Sequence, residues 1–305
     1  MSGQDHTPTI SVITPVFNNA QYMREAFDSI LNQTVGDFEY IVINDGSTDN
    51  SLDVLSEYAA KDSRFRIASH GNKGYIAALN EGLEVARAEF IARMDADDIA
   101  LPDRFEKQVA FLRANPDCVV VGGRVLLIDA EGAPLCEMCD EMTHEDIDAA
   151  HLAGRGGTII HPAMMARRSA IEAIGRYSAK YPWAEDLDFF LRLAEVGRVA
   201  NLPDVVLRYR QHLSSIGYSK SEKQQASTID VVRDAHIRRG LPVPEGLDRR
   251  IVAPPSVGQS YRKWAWWALG AGYVASARKH ALRALRKEPL SVESWRAMYC
   301  ALRGH

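Results

Sequence analysis

The fold that the sequence predicts is α/β, a mostly parallel sheet flanked by helices with a helical appendage at the C-terminal end, and three observations predict it. Short β-branched, apolar runs alternate with segments of 3.6-residue apolar periodicity from Ile10 to Leu112. Three of those runs end in polar loops rich in Asn and Asp, at 14–19, 45–49 and 95–98. From Tyr261 onward the pattern is helical and basic, after a stretch punctuated by Pro242, Pro244, Pro254 and Pro255.

Each element has its own signal. Ile10–Thr14 reads as a buried strand that runs through Pro15 into Asn18 and Asn19. Met23, Ala26, Phe27, Ile30 and Leu31 then fall on one stripe of a helix. Tyr40–Asn44 is a second strand, closed by Asp45-Gly46-Ser47. A helix over 51–60, a strand over 65–68, a helix carrying Ile76, Leu79, Leu83 and Ala86, and a strand over 90–94 follow. Right-handed crossovers between parallel strands gather the loops at the carboxyl ends of the strands along one rim, where open α/β sheets bind ligands. A helix through Phe105, Val109 and Leu112 leads to a strand over 118–122. Regularity weakens across the acidic stretch 129–148, Gly154–Gly157 reads as flexible, and His161-Pro162 breaks a strand-like run. The segment 185–196 reads as a helix burying Leu187, Phe190, Leu191 and Ala194.

A chain of 305 residues can bury the core of one α/β domain and still carry the appendage. The formal charge of -4 argues against a nucleic-acid partner, because neutralising phosphates requires an excess of Lys and Arg. No apolar run approaches the ~18 residues of a membrane span, and MSGQDHTPT lacks the basic and apolar regions of a secretion signal, so the expected location is cytoplasmic. Cys118, Cys136, Cys139 and Cys300 are expected to remain thiols; the pair Cys136-x-x-Cys139 has no second Cys/His pair at zinc spacing and no strand-turn-helix setting. The segment 261–305 holds nine Lys and Arg against Glu288 and Glu293, an asymmetry that suits an acidic partner or the inner face of a membrane.

The chemistry concentrates at Asp95-Ala96-Asp97-Asp98. Three carboxylates in four residues repel one another, which a divalent cation or hydrogen-bond donors relieve. Hard oxygen ligands suit Mg²⁺ or Mn²⁺. A solvated acidic turn is the competing reading. Asp45, on the same rim, is either an Asx turn or cap, or a carboxylate that accepts from a base imide or a ribose hydroxyl.

S-V-I-T-P-V-F-N-N, Y-I-V-I-N-D-G-S-T-D-N-S, N-K-G with A-L-N-E-G-L, and M-D-A-D-D-x-x-L-P-D-R-F, in this order and spacing, resemble the nucleotide-binding half of family 2 glycosyltransferases of the GT-A fold. These motifs cover about 9–125, with further matches to about 212. The resemblance implies a nucleotide pocket shaped by Pro15, Val16, Phe17, Asn18, Asp45, Asn72 and Gly74, with Phe17 beside the base, Asp95 and Ala96 near the ribose, and Asp97 on the metal at the diphosphate. Asn44 stands where the family often carries a second acid, which leaves the base preference open.

In W-A-E-D-L-D-F-F-L-R-L, Glu185-Asp186 resembles the family's acidic pair near the acceptor. Inverting transfer requires a base for the acceptor hydroxyl, and the match makes Asp186 that base with Glu185 orienting the acceptor. A carboxylate at a helix start also serves simply as a cap. His161 and the run Y-R-Q-H-L-S-S-I-G extend the likeness: His212 would approach the metal, and Arg208 or Arg210 the phosphates. The Q-x-x-R-W motif and membrane spans of the processive synthases are missing, which implies single additions from a nucleotide diphosphate sugar, UDP by default, to a saccharide, lipid-linked or protein acceptor.

The expected division is a donor-binding half at 1–125, an acceptor-binding half at 126–240, a Pro-rich linker at 241–260 and a helical segment at 261–305. The stretch 272–289 resembles the second helix of a tetratricopeptide repeat, and a single match of this kind implies a helical hairpin packed on the catalytic domain. Trp264, Trp266 and Trp267 beside Arg262 and Lys263 read as core or as a peripheral membrane anchor, and a homodimer contact is a third use of this region. Two rivals to the transferase are a sugar nucleotidyltransferase, whose glycine-rich basic loop is missing, and a noncatalytic sugar-nucleotide scaffold.

Overall fold

The computed structural model describes residues 6–213, 218, 220–247 and 252–305. In chain order, β1 (Ile10–Val16), α1 (Met23–Leu31), β2 (Phe38–Asp45), α2 (Ser51–Lys61), β3 (Phe65–His70), α3 (Tyr75–Val85) and β4 (Phe90–Arg93) form the first half. The two-residue β5 (Ile99–Ala100), α4 (Arg104–Ala114), β6 (Cys118–Val121), β7 (Arg124–Asp129), β8 (Pro134–Met138) and α5 (His144–Leu152) follow. Next come β9 (Met165–Arg167), α6 (Arg168–Ala173), α7 (Glu185–Leu193), β10 (Arg198–Ala200), β11 (Val205–Gln211) and α8 (Ser221–Arg238). The chain closes with α9 (Val257–Gly270), α10 (Val274–Lys287) and α11 (Val292–Arg303).

The main sheet runs β10-β6-β9-β4-β1-β2-β3, and all of its strands except β9 are parallel. Alternation along β1 and β2 sorts their side chains into two layers. Val12, Tyr40 and Val42 meet Met23 and Phe27 of α1, Leu55 of α2 and Phe105 of α4. Ile13, Ile41 and Ile43 meet Leu79 and Leu83 of α3 and Phe189 and Phe190 of α7. The apolar stripe read for α1 is buried at Met23, Ala26, Phe27 and Ile30, and truncating Phe27 to Ala would cost about 3–5 kcal/mol.

The irregular second half has more structure than its sequence announced. A second sheet runs β5-β11-β7-β8. The acidic stretch holds the β7–β8 hairpin and α5, whose Thr143 caps the helix by accepting from the Asp146 amide at 3.3 Å. The last strand of the main sheet to be laid between its neighbours, β9, is antiparallel to both β4 and β6. Among the smaller differences, α7 ends at Leu193 rather than 196.

At the C-terminal end the linker is shorter than read, because Ser256 and Gln259 form a capping box that starts α9 at Val257. Three helices stand where a hairpin was expected, with α9 against β8 and α10. Trp264 is core, donating from Nε1 to the Tyr218 hydroxyl at 2.6 Å, while Trp266 faces outward and Trp267 is capped by Lys263 at 4.4 Å. Part of the basic surplus is spent internally: Lys279 and His280 meet the fully buried Asp129, and Arg283 meets Glu131 at 2.9 Å. Burial opposes ionisation of Asp129, yet the bonds from His280 and Lys279 hold its carboxyl well below the usual range. Burial pushes the Cys136 thiol up to about 11 and the Cys139 thiol up to about 12. Among the described residues no helix is long and apolar enough to cross a membrane.

Candidate active site

The loops after β1 and β2 are fastened to each other by Asn18. Its φ of 54° is one that Asn tolerates, and its Oδ1 accepts from the Thr48 and Asp49 amides at 2.7 and 3.3 Å. Asn18 therefore braces the rim, and its side chain does not line the cavity as expected. Asp45 is likewise engaged, accepting from the Lys73 amide at 2.6 Å and the Gly74 amide at 2.9 Å, while Asn72 Nδ2 donates to the Asp45 carbonyl at 3.0 Å. This close approach needs Gly46, whose φ is +75° and whose added Cβ would lie 2.6 Å from the Asn72 nitrogen. Buried Asn44 completes the joint, donating to Ser69 Oγ at 2.9 Å and accepting from the Ser47 amide at 3.2 Å.

Past β4 the chain turns through the aspartates. Oxygens of Asp95, Asp97 and Asp98 lie within 4.8 Å of one another. Asp95 is paired with Arg93, and Asp97 Oδ2 meets His212 Nε2 at 2.9 Å. Asp98 is fully buried; its Oδ1 accepts from the Arg210 amide at 2.8 Å and its Oδ2 has no partner. Burial first, then the charges of Asp97 and Asp95, raises the Asp98 carboxyl well above its ordinary value. An orphaned buried oxygen within a set of hard donors fits a divalent cation.

Two expectations are corrected here. The Arg210 guanidinium already donates to the Asp97 carbonyl at 2.7 Å, the Ala130 carbonyl at 3.1 Å and the Glu25 carboxylate at 2.5 Å, so it holds the aspartate loop instead of standing ready for phosphate. Arg208 is exposed and outside the cavity, and Ala96 is buried in the core beneath it, because the turn aims only Asp95 and Asp97 into the space.

The facing wall is led by α7. Glu185 is nearly buried, and burial together with the Asp186 charge pushes its carboxyl up to about 7. Asp186 accepts from the Leu187 amide at 2.8 Å and is raised by burial. Both sit on the first turn of the helix, where backbone N–H groups favour an anion. His161 Nε2 meets the Tyr177 hydroxyl at 2.6 Å, and burial, with the Arg93 charge, holds His161 well below its usual range and so neutral. Helix α8 supports this wall by burying Ile229, Val232 and Ala235 against Leu187 and Leu191.

A single cavity of about 870 Å³ joins the two walls. Pro15, Val16, Phe17, Asp45, Asn72 and Gly74, with Asp95, Asp97, Arg210 and His212, line it together with His161, Glu185 and Asp186. Tyr75, Arg93, Trp183, Tyr209 and, from α8, Gln224, Gln225 and Thr228 also line it, and none of these was anticipated. Arg93 had a signal, a charge inside the apolar run F-I-A-R-M; α8 had none, since only the tertiary fold brings it to the cavity.

The architecture is the GT-A fold of glycosyltransferases. The profile of Glycosyl transferase family 2 matches residues 11–175, and the chain belongs to that family. It is 34% identical over 238 residues to an uncharacterized glycosyltransferase of Haemophilus influenzae, spanning 74% of this chain and 73% of that protein. Residues 1–349 of S. aureus TarS, solved in complex with UDP-GlcNAc, superpose with a TM-score of 0.57 at 15% identity, covering 97% of this chain and 92% of that one. Mannosyltransferase PcManGT from Pyrobaculum calidifontis, in complex with GDP-Man and Mn²⁺, gives 0.55 at 18% identity, covering 98% and 86%. At these identities the two structures show a shared fold.

Proposed function

We propose that this glycosyltransferase moves a sugar from a nucleotide diphosphate sugar, a UDP-sugar in the first instance, to a hydroxyl of a saccharide or lipid-linked acceptor with inversion. The observation that carries the reading is the continuity of the cavity: the rim loops and Asp97 line the same space as Asp186. The nucleotide lies against Pro15–Phe17, Asp45 and the 72–74 loop, and the acceptor against the wall led by α7. This gives 1–125 and 126–240 their separate tasks.

In this mechanism the acceptor oxygen attacks the anomeric carbon from the face opposite the diphosphate. The new C–O bond forms as the bond to the phosphate oxygen breaks, the electron pair leaves with the nucleoside diphosphate, and the acceptor proton passes to Asp186. Glu185 orients the acceptor. Asp97 and His212 would hold a divalent cation such as Mn²⁺ or Mg²⁺, which when bound would supply charge to stabilise the leaving diphosphate. A lipid-linked acceptor lies at a membrane face, and the surface assigned to that contact is the exposed stripe Val292, Trp295, Tyr299 and Leu302 of α11, flanked by Arg296 and Arg303.

Thermal shift and hydrolysis with UDP-, GDP- and dTDP-sugars, each with Mn²⁺, Mg²⁺ or EDTA, test the reading. One nucleotide series should raise the melting temperature only with metal, and Asp97→Ala should abolish the shift. Stabilisation by no nucleotide under any metal condition would overturn it in favour of a scaffold.

A further inference from the structure

Arg93 has more donors than the protein supplies acceptors. It closes β4 with 2% of its side chain exposed. Its Nη2 is taken by Asp95 and by the Tyr75 hydroxyl, whereas Nε and Nη1 are buried and meet no acceptor. Leaving a buried charged donor unpaired is costly, so a group held this way implies an acceptor that arrives from outside the chain. The side chain lines the cavity together with Asp95, Asp97, Glu185 and Asp186, is paired with Asp95, and its charge acts on both Glu185 and Asp186. Tyr75 also lies beside the guanidinium, its ring centre 5.6 Å from the guanidinium carbon.

If the diphosphate lies at Asp97 and the acceptor at Asp186, the transferred sugar spans the floor that Arg93 forms. We propose, resting on the transferase reading above, that Arg93 recognises this sugar, its guanidinium turning toward the cavity on binding so that Nε–H and Nη1–H, here enclosed by protein, donate to ring hydroxyl oxygens of an uncharged hexose or N-acetylhexosamine. An acidic sugar fits poorly. The Arg93 charge is already matched by Asp95, and a further carboxylate would face Glu185, Asp186 and Asp97 in the same space.

The test is calorimetric titration, with Mn²⁺ present, of UDP, UDP-glucose, UDP-galactose, UDP-N-acetylglucosamine and UDP-glucuronic acid, with GDP and GDP-mannose as the second nucleotide pair. The proteins are the wild type, Arg93→Met, Arg93→Lys and Tyr75→Phe. The readout is the ratio of the Kd of a sugar nucleotide to that of its parent nucleoside diphosphate, which a merely structural role leaves unchanged. Arg93→Met should worsen that ratio by about 10–100-fold for an uncharged sugar while the parent nucleotide binds within about threefold of wild type. Arg93→Lys decides the matter if the Met variant does not fold, because an ammonium keeps the charge but loses the planar fork and should also worsen the ratio. Tyr75→Phe leaves both free donors in place and should change the ratio less than either. An unchanged ratio in the Arg93 variants overturns the assignment while the transferase reading stands, and so does a wild-type preference for UDP-glucuronic acid. Failure of the wild type to bind UDP or GDP is instead a failure of the transferase reading, and the sugar assignment falls with it.

Discussion

On the wall built from the loops after β1, β2 and β4, most polar side chains already have partners within the protein, whereas on the wall led by α7 two adjacent carboxylates are relieved mainly by backbone N–H groups. Asn18, Asn44 and Asp45 spend their capacity tying one loop to the next. Glu185 and Asp186 instead carry raised pKa values, for burial outweighs the few groups that favour their ionised forms. The first arrangement fixes a shape in advance. The second stores a demand for a proton or a donor, which an acceptor hydroxyl would meet in the proposed mechanism. On the proposed function, rigidity suits the end that would seat a nucleotide, and electrostatic demand suits the end that would take a proton.

The sharpest way to separate the two walls is Asp186→Asn, which should lower kcat by about 10²–10⁴-fold while the Kd for the donor nucleotide stays near wild type. Undiminished turnover would remove the proposed base. Asp129→Ala probes neither wall but the dock of the C-terminal helices. Its carboxylate joins Lys279 and His280 to the β7–β8 turn, where it also accepts from the Glu131 and Ala133 amides at 3.0 Å. Breaking such a buried pair should cost about 3–5 kcal/mol in chemical denaturation. On the nucleotide wall, Gly46→Ala forces a Cβ into the Asn72 backbone at a left-handed φ, and should cost about 1–3 kcal/mol of stability and weaken donor binding with little change in the pH profile.

The pH profile belongs to the other wall. Glu185, raised to about 7 by burial and by Asp186, is opposed by Arg93, so kcat/KM should fall about tenfold per pH unit on the acid side of that value. In Glu185→Gln this limb should be lost, leaving the acid side of the profile to Asp186. Stability responds with the opposite sense: the folded protein holds a proton on Glu185 that the unfolded chain has released above about 4.5, so this group's contribution declines as pH rises from there to about 7. Denaturation midpoints of wild type and Glu185→Gln across that range should diverge accordingly. The smallest effect is expected at α11, where Trp295→Ala should reduce sedimentation with vesicles containing anionic lipid by a few-fold at low salt. Equal binding by the variant would remove the membrane assignment.

Much of the first wall is legible in the sequence. Apolar runs and helical stripes predicted β1, α1, β2, α3 and β4, and the loops between them had to emerge on one rim, so Asp45, Asp95 and Asp97 were legible as neighbours. Their partners were not. That Asp45 is occupied by the 73–74 amides, that Arg210 braces the aspartate loop, and that Ala96 is core depend on how loops distant in sequence meet. The second sheet and the far end of the main sheet were not legible for a related reason: β5 of the second sheet has two residues and β9 and β10 of the main sheet three each, too few to show a period, and they are held by pairing rather than by local preference.

The sequence by itself determined the α/β order, the carboxyl rim and the acidic residues placed on it, because these follow from side-chain periodicity and chain handedness over short spans. Only the tertiary structure decided that α7 and α8 face that rim across one cavity, that Arg93 lies between the walls with donors to spare, and that Asp129 anchors the C-terminal helices. Those outcomes rest on burial and on hydrogen bonds between residues far apart in the chain, whose strength depends on the surroundings that the completed fold creates.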